Sequence, residues 1–126
     1  MRIDHIAIWV KDLEIMKEFY SGYFNMHAGE KYLNESKGFS SYFLSSGEEG
    51  SRLELMNRPG LADRCPDSFG YTHIAISVGS REEVDRITEI LRKDNFTIAS
   101  LPRITGDGYY ESVILDPEGN LVEITS

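Results

Sequence analysis

His5-Ile6-Ala7-Ile8, near the start of the chain, and His73-Ile74-Ala75-Ile76, in its second half, are one tetrapeptide written twice, 68 residues apart. A second landmark moves with the first. Leu53-Glu54-Leu55 and Val122-Glu123-Ile124 each hold a Glu between two aliphatic residues, and those two Glu lie 69 residues apart. Two independent landmarks that agree to within one residue mark a tandem duplication, which must be recognised before any other feature is read. The units run over about 1–57 and 71–126, and the Pro-, Gly- and Asp-containing segment 58–70 joins them.

Each unit opens on a strand and then turns helical. Ile3 to Val10 is β-branched and apolar, Asp12 is placed to cap a helix, and Leu13, Met16, Phe19, Tyr20, Tyr23 and Phe24 recur at spacings of three and four. Strands follow at about 29–34, 39–46 and 51–57, the last two joined by a hairpin turn at Gly47-Glu48-Glu49-Gly50. The second unit repeats the plan: a strand over 71–78, Ser80 as cap, and a helix over 81–94 with Val84, Ile87, Ile90 and Leu91 on one face. Strands at about 96–101, 108–115 and 120–125 complete it. In Asp116-Pro117-Glu118-Gly119-Asn120, a Pro early and a Gly late suit a tight turn. The expected fold is α+β: two tandem βαβββ units forming a curved mixed sheet, with both helices on its convex face, in one domain over 1–126.

Side chains alternate across a strand, so parity tells which residues share a face. On the opening strands Ile6, Ile8 and Val10, and Ile74, Ile76 and Val78, oppose His5, Ala7 and Trp9, and His73, Ala75 and Ser77. On the closing strands Leu53 and Leu55, and Val122 and Ile124, oppose Glu54 and Glu123. The aliphatic faces take the amphipathic helices, so His5, Glu54, His73 and Glu123 are expected to project together from the opposite face. Two neutral imidazoles and two carboxylates balance a divalent ion and leave open positions on an octahedral metal. Without an ion, carboxylates gathered there would carry a desolvation and repulsion cost. The competing reading is a duplicate whose pocket binds a small molecule without metal.

Composition narrows the partners. With 126 residues, 40% apolar and 27% charged, the chain suits one globular domain. A net charge of −8 with no basic cluster argues against nucleic acid, whose phosphates attract Lys and Arg. No apolar run approaches the roughly 20 residues of a membrane span, and export is not expected from a start, Met1-Arg2-Ile3-Asp4-His5, that runs straight into an apolar alternation. A cytoplasmic location is expected. Cys65 is the only cysteine, so no intrachain disulfide is possible, and no base flanks it to make it a nucleophile. Arg52 and Arg103 are candidate anchors for an anionic group. Tyr109, Tyr110 and the Gly106-Asp107-Gly108 turn are placed at a pocket rim.

On His5, Leu53-Glu54-Leu55, Tyr71-Thr72-His73-Ile74-Ala75 and Asp116 through Glu123, the whole chain resembles the vicinal oxygen chelate superfamily, and within it the glyoxalase I-like proteins related to lactoylglutathione lyase. The resemblance implies the glyoxalase/bleomycin-resistance/dihydroxybiphenyl-dioxygenase type of fold. It also implies one divalent ion (Ni, Zn, Co, Mn or Fe) on His5, Glu54, His73 and Glu123, a small-molecule substrate and a homodimer. The implied activity is that of an isomerase or lyase moving a proton next to a carbonyl of an α-hydroxycarbonyl or hemithioacetal. By resemblance Glu123 is the catalytic base, and Glu54 serves the opposite hand of substrate. Other members of the superfamily are epimerases, thiol transferases and metal-free binding proteins, and these stand as the alternatives. The pattern departs at Trp9, where glyoxalase I usually carries an Arg that holds the carboxylate of glutathione.

Overall fold

Hydrogen bonding in the computed structural model follows the duplication. Residues 3–47, 50–63, 65 and 69–126 are described, and the chain forms two compact units, Met1–Phe69 and Gly70–Ser126. The first unit comprises β1 (His5–Trp9), α1 (Leu13–Phe24), β2 (His27–Ala28), β3 (Tyr32–Asn34), a 3-10 turn (Glu35–Lys37), β4 (Phe39–Ser45) and β5 (Arg52–Asn57). Its sheet runs β1-β5-β4-β2, with β3 also beside β4. The second unit comprises β6 (His73–Ser77), α2 (Arg81–Lys93), β7 (Ile98–Ile104), β8 (Tyr110–Leu115) and β9 (Leu121–Thr125), in the order β6-β9-β8-β7. In each sheet the first and last strands of the unit pair in parallel, β1 with β5 and β6 with β9, and the remaining pairs are antiparallel. Parallel pairing needs a crossover, and the helix with its following strands provides it.

Local chemistry sets the boundaries. The Asp12 carboxylate accepts from the backbone N–H groups of Glu14 and Ile15, both at 3.0 Å, and Asn25 ends α1 in the left-handed region at φ 52°. Ser80 caps α2 by accepting from Glu83 N–H at 3.2 Å. At the β8–β9 turn the buried Asp116 accepts from the backbone N–H of Glu118 and of Asn120 and from the Asn120 side-chain amide, at 2.9–3.0 Å, while Gly119 takes φ 83°. That turn fixes where β9, and with it Glu123, begins.

The expected strand over 29–34 is corrected to two short strands. Gly29 N–H still bonds to Phe43 C=O at 2.9 Å, but Lys31 swings to Glu14 at 2.9 Å, and the chain rejoins β4 only at Tyr32. The Asn34 side chain then accepts from Lys37 N–H at 3.3 Å, closing a 3-10 turn that Gly38 ends at φ 59°. On α2 the buried stripe is Val84, Ile87, Thr88 and Leu91, while Ile90 is partly exposed, which corrects the expected face. Thr88 fills the i+4 position of that stripe by satisfying its hydroxyl on Val84 C=O and the Ser112 hydroxyl, both at 2.6 Å. Pro102, which lacks a ladder donor, lies on β7 at the sheet edge, where the register with β8 shifts. Of the expected Gly47–Gly50 turn, Glu48 and Glu49 lie outside the described residues, as do Arg64 and residues 66–68 of the linker.

In the first unit Met16, Phe19 and Tyr20 of α1 are buried, as are Leu44, Leu53 and Leu55 of the sheet; in the second, Val84, Ile87 and Leu91 of α2 are buried, as are Ile114, Val122 and Ile124. The residues flanking Glu54 and Glu123 are therefore core, and this turns each carboxylate to the face away from its helix. Among the described residues no helix is long and apolar enough to cross a membrane.

Truncating Leu55, fully buried beside Glu54, to Ala is expected to cost about 2–5 kcal/mol in urea denaturation with unchanged slope; a loss below about 1 kcal/mol would contradict the packing described. Glu14 accepts hydrogen bonds from Lys17, Lys31 and Tyr42, which hold its carboxyl at about 2. Its contribution to stability is full above its ordinary value of 4.5 and is lost as pH falls toward 2. The Tm gap between wild type and Glu14→Gln should therefore be positive at neutral pH and close on acidification; a gap independent of pH would contradict it.

A candidate metal centre built from two matched pairs

In the first unit the parallel register sets Ala7 opposite Glu54 and His5 opposite Arg52. Glu54 is thus flanked by the small Ala7 on β1 and by Phe43 on β4. His5 stands two residues before Ala7 on the same face, and its Nε2 reaches to 3.8 Å from Glu54 Oε2. Its other ring nitrogen, Nδ1, lies 3.0 Å from Asp4 Oδ2, and Asp4 also accepts from the Arg52 guanidinium. Those hydrogen bonds, from His5 first and then Arg52, bring the Asp4 carboxyl down to about 2. The imidazole meets the Phe43 ring edge-on at 5.3 Å, and Arg52 covers the same ring at 4.5 Å.

The second unit repeats the construction. Ala75 lies opposite Glu123, Val113 of β8 flanks Glu123 on the other side, and His73 Nε2 stands 3.3 Å from Glu123 Oε2. Thr72 Oγ1 takes the place of Asp4, 3.0 Å from His73 Nδ1. Glu54 and Glu123 are mostly buried, with side chains 13% and 21% exposed.

The chemistry of each pair fits a cation. An ionised Asp4 only accepts, so His5 Nδ1 donates to it, and the ring held in this way turns its Nε2 toward Glu54. An imidazole nitrogen beside a carboxylate oxygen is the combination of donor types that a borderline divalent cation takes. Donors about 2.1 Å from one ion and 90–110° apart stand about 3.0–3.4 Å from each other. The His73–Glu123 separation falls in that range, and the His5–Glu54 separation lies slightly above it. The partner on each Nδ1 is the outer-shell contact that fixes ring and tautomer in metal-binding histidines.

Each unit holds one such pair. Among the described residues, no three or more His, Cys, Asp or Glu side chains gather as a metal-binding group. The four expected ligands thus stand as two separate pairs, His5 with Glu54 and His73 with Glu123. The remaining candidates move. Arg52 is committed to Asp4, and Arg103 lies 3.7 Å from Glu111, so neither is a free anion anchor. Tyr110, expected at the rim, instead donates to Asp85 of α2 at 2.7 Å and lies under Arg81, on the helix side of its sheet. Cys65 is exposed.

Two features escaped the sequence. Glu111, nearly buried, shares the face of Glu123, because it pairs with Thr125 in the ladder that pairs Val113 with Glu123. The Thr125 hydroxyl beside it is buried and has no hydrogen-bond partner. In the first unit Arg58 lies over the Trp9 ring at 5.2 Å, and Phe39 meets that ring edge-on at 6.2 Å. The position of Arg58, four residues after Glu54, was the one available signal for it.

Comparison with known proteins gives the family and the fold. The family model of the Glyoxalase/Bleomycin resistance protein/Dioxygenase superfamily matches residues 2–124. The trypanothione-dependent glyoxalase I of Leishmania major superposes with a TM-score of 0.82 at 25% identity, covering 100% of this chain and 86% of that one. A glyoxalase family protein from Enterococcus faecalis gives 0.80 at 22% identity, covering 99% and 97%. The lactoylglutathione lyase of Agrobacterium tumefaciens gives 0.71 at 21%, covering 98% and 92%. No curated protein matches at a significant level.

Proposed function

The chain belongs to the Glyoxalase/Bleomycin resistance protein/Dioxygenase superfamily, and from that premise we propose that it is a metal-dependent isomerase or lyase of the glyoxalase I type. The observation that carries this reading is the duplicated pair: His5 with Glu54 and His73 with Glu123, at the same register, each imidazole held by its Nδ1. Joined on one divalent ion, the pairs make a two-nitrogen, two-oxygen donor set that suits Ni, Zn, Co, Mn or Fe. Held by these residues, a divalent ion would supply Lewis acidity toward an α-hydroxycarbonyl or hemithioacetal substrate.

The protein's own groups then move one proton. Glu123 accepts the proton from the carbon bearing the hydroxyl and returns it to the neighbouring carbonyl carbon, while the hydroxyl proton passes to the former carbonyl oxygen, so that the reaction is a redox-neutral isomerisation. Glu54 performs the same transfer for the opposite hand of substrate. Asp4 and Thr72 hold the rings of His5 and His73. Ala7 and Ala75, registered opposite the two carboxylates, leave room beside them for substrate. We propose that the protein works in the cytoplasm as a homodimer, which allows the two pairs of one centre to come from one chain or from two.

Reloaded with Ni²⁺ or Zn²⁺, the protein should isomerise methylglyoxal–thiol hemithioacetals, and Glu123→Gln should lower kcat by about 10²–10⁴-fold while still taking up metal. Metal uptake without turnover would redirect the search to epimerase or thiol-transfer substrates, and unchanged turnover in the variant would defeat the role given to Glu123. Thr72→Val, which deletes the hydroxyl at His73 Nδ1, should weaken metal affinity about 10–100-fold in competition with a chelator. Unaltered affinity would show that this contact does not orient the ring.

A further inference from the structure

A second concave feature lies in the first unit, a cavity of about 570 Å³ lined by Tyr32, Asn34, Lys37, Phe39 and Arg58. Trp9 contacts two of these lining residues, lying under Arg58 and edge-on to Phe39, which also meets Tyr32 at 6.0 Å between ring centres. The lining combines aromatic surface with two cations and no carboxylate. In a chain of net charge −8 this is unusual. Among the described residues, every other Lys and Arg except Arg81 is matched to a carboxylate, whereas Lys37 and Arg58 are not.

We propose that this cavity is a binding subsite for a flat aromatic anion, with the ring against Trp9, Tyr32 and Phe39 and the carboxylate or phosphate on Arg58 and Lys37. Stacking on Trp9 occupies the face of the guanidinium and leaves its in-plane N–H donors to make a bidentate contact with an anion. The backbone brings together the two segments that carry these cations. Lys37 closes the 3-10 turn capped by Asn34, and the next residue, Gly38, lies so close to Pro59 that a Cβ there would stand 3.1 Å from the proline ring. The φ of 59° at Gly38 adds to that demand for glycine. The close approach joins the segment carrying Lys37 to the segment carrying Arg58.

The subsite shares a face with the first His–Glu pair. Trp9 has the parity of His5 on β1, and Phe39 has that of Phe43, the neighbour of Glu54, on β4. Four residues of strand separate each, about 13 Å at 3.3 Å per residue. That this subsite seats the far end of the substrate rests on the isomerase reading above; its affinity for an aromatic anion does not.

Trp9 is the only tryptophan, so one indole N–H cross-peak in a ¹H–¹⁵N spectrum of the full chain, with no metal added, reports the subsite. Benzoate, phenyl phosphate, benzamide and inorganic phosphate are titrated in parallel. A saturable shift with benzoate, phenyl phosphate or both is expected, weakened at least tenfold in Arg58→Gln and to a lesser degree in Lys37→Gln, and the more tightly held probe identifies the anionic group. An equal response to benzamide would remove the anion from the proposal, and an equal response to inorganic phosphate would remove the ring. No shift with any probe, or full affinity in both variants while the rest of the spectrum is unchanged, would overturn it. Loss of metal uptake or isomerase activity would defeat the function proposed above and leave this titration untouched.

Discussion

The parallel ladder between the opening and closing strand of each unit is the constraint from which the rest follows. It sets Ala7 opposite Glu54 and Ala75 opposite Glu123, so each carboxylate has a methyl for its neighbour and an imidazole one step back along the same face. A slip of one residue would send the carboxylates into the helix-packed core and bring leucines or valines to the site. Burial prevents this. Leu53 and Leu55, and Val122 and Ile124, are held under their helices, and the core thereby enforces the geometry of the polar face.

Around that ladder the two units diverge where chemistry differs. The first fixes its imidazole with an ion-paired aspartate and an aromatic neighbour, and the second with a threonine hydroxyl and a valine. A carboxylate on Nδ1 makes an imidazole a stronger donor than a hydroxyl does. The two pairs are therefore chemically asymmetric, His5 being the more electron-rich imidazole. The first unit also carries the aromatic and cationic cavity, while the second carries Glu111 and the unpartnered Thr125 hydroxyl on its polar face.

Much of this was legible in the sequence because it depends on local rules. The repeated tetrapeptide, the strand parity of the four ligand candidates, the caps at Asp12 and Ser80 and the Asp116 turn all follow from short-range chemistry. What was not legible depends on contacts between distant residues. The strand expected over 29–34 is interrupted at a segment where Lys31 reaches across to Glu14. Thr88 entered a core stripe only because Ser112 faced it. Arg52 and Arg103 looked free until Asp4 and Glu111 were found beside them, whereas Arg58 and Lys37, unremarkable in sequence, proved to line a cavity. Tyr110 faces its helix because Asp85 offers its hydroxyl an acceptor.

Under the proposed function, the two pairs, one from each unit, serve one ion. This is tested most directly by calorimetric titration of the metal-free protein with Ni²⁺ or Zn²⁺, comparing wild type with His5→Ala and His73→Ala. The account predicts one ion per chain in the wild type and loss of tight binding in both variants, since each leaves an incomplete set. Two ions per chain, or one variant retaining wild-type affinity, would show that the pairs act separately and would contradict it.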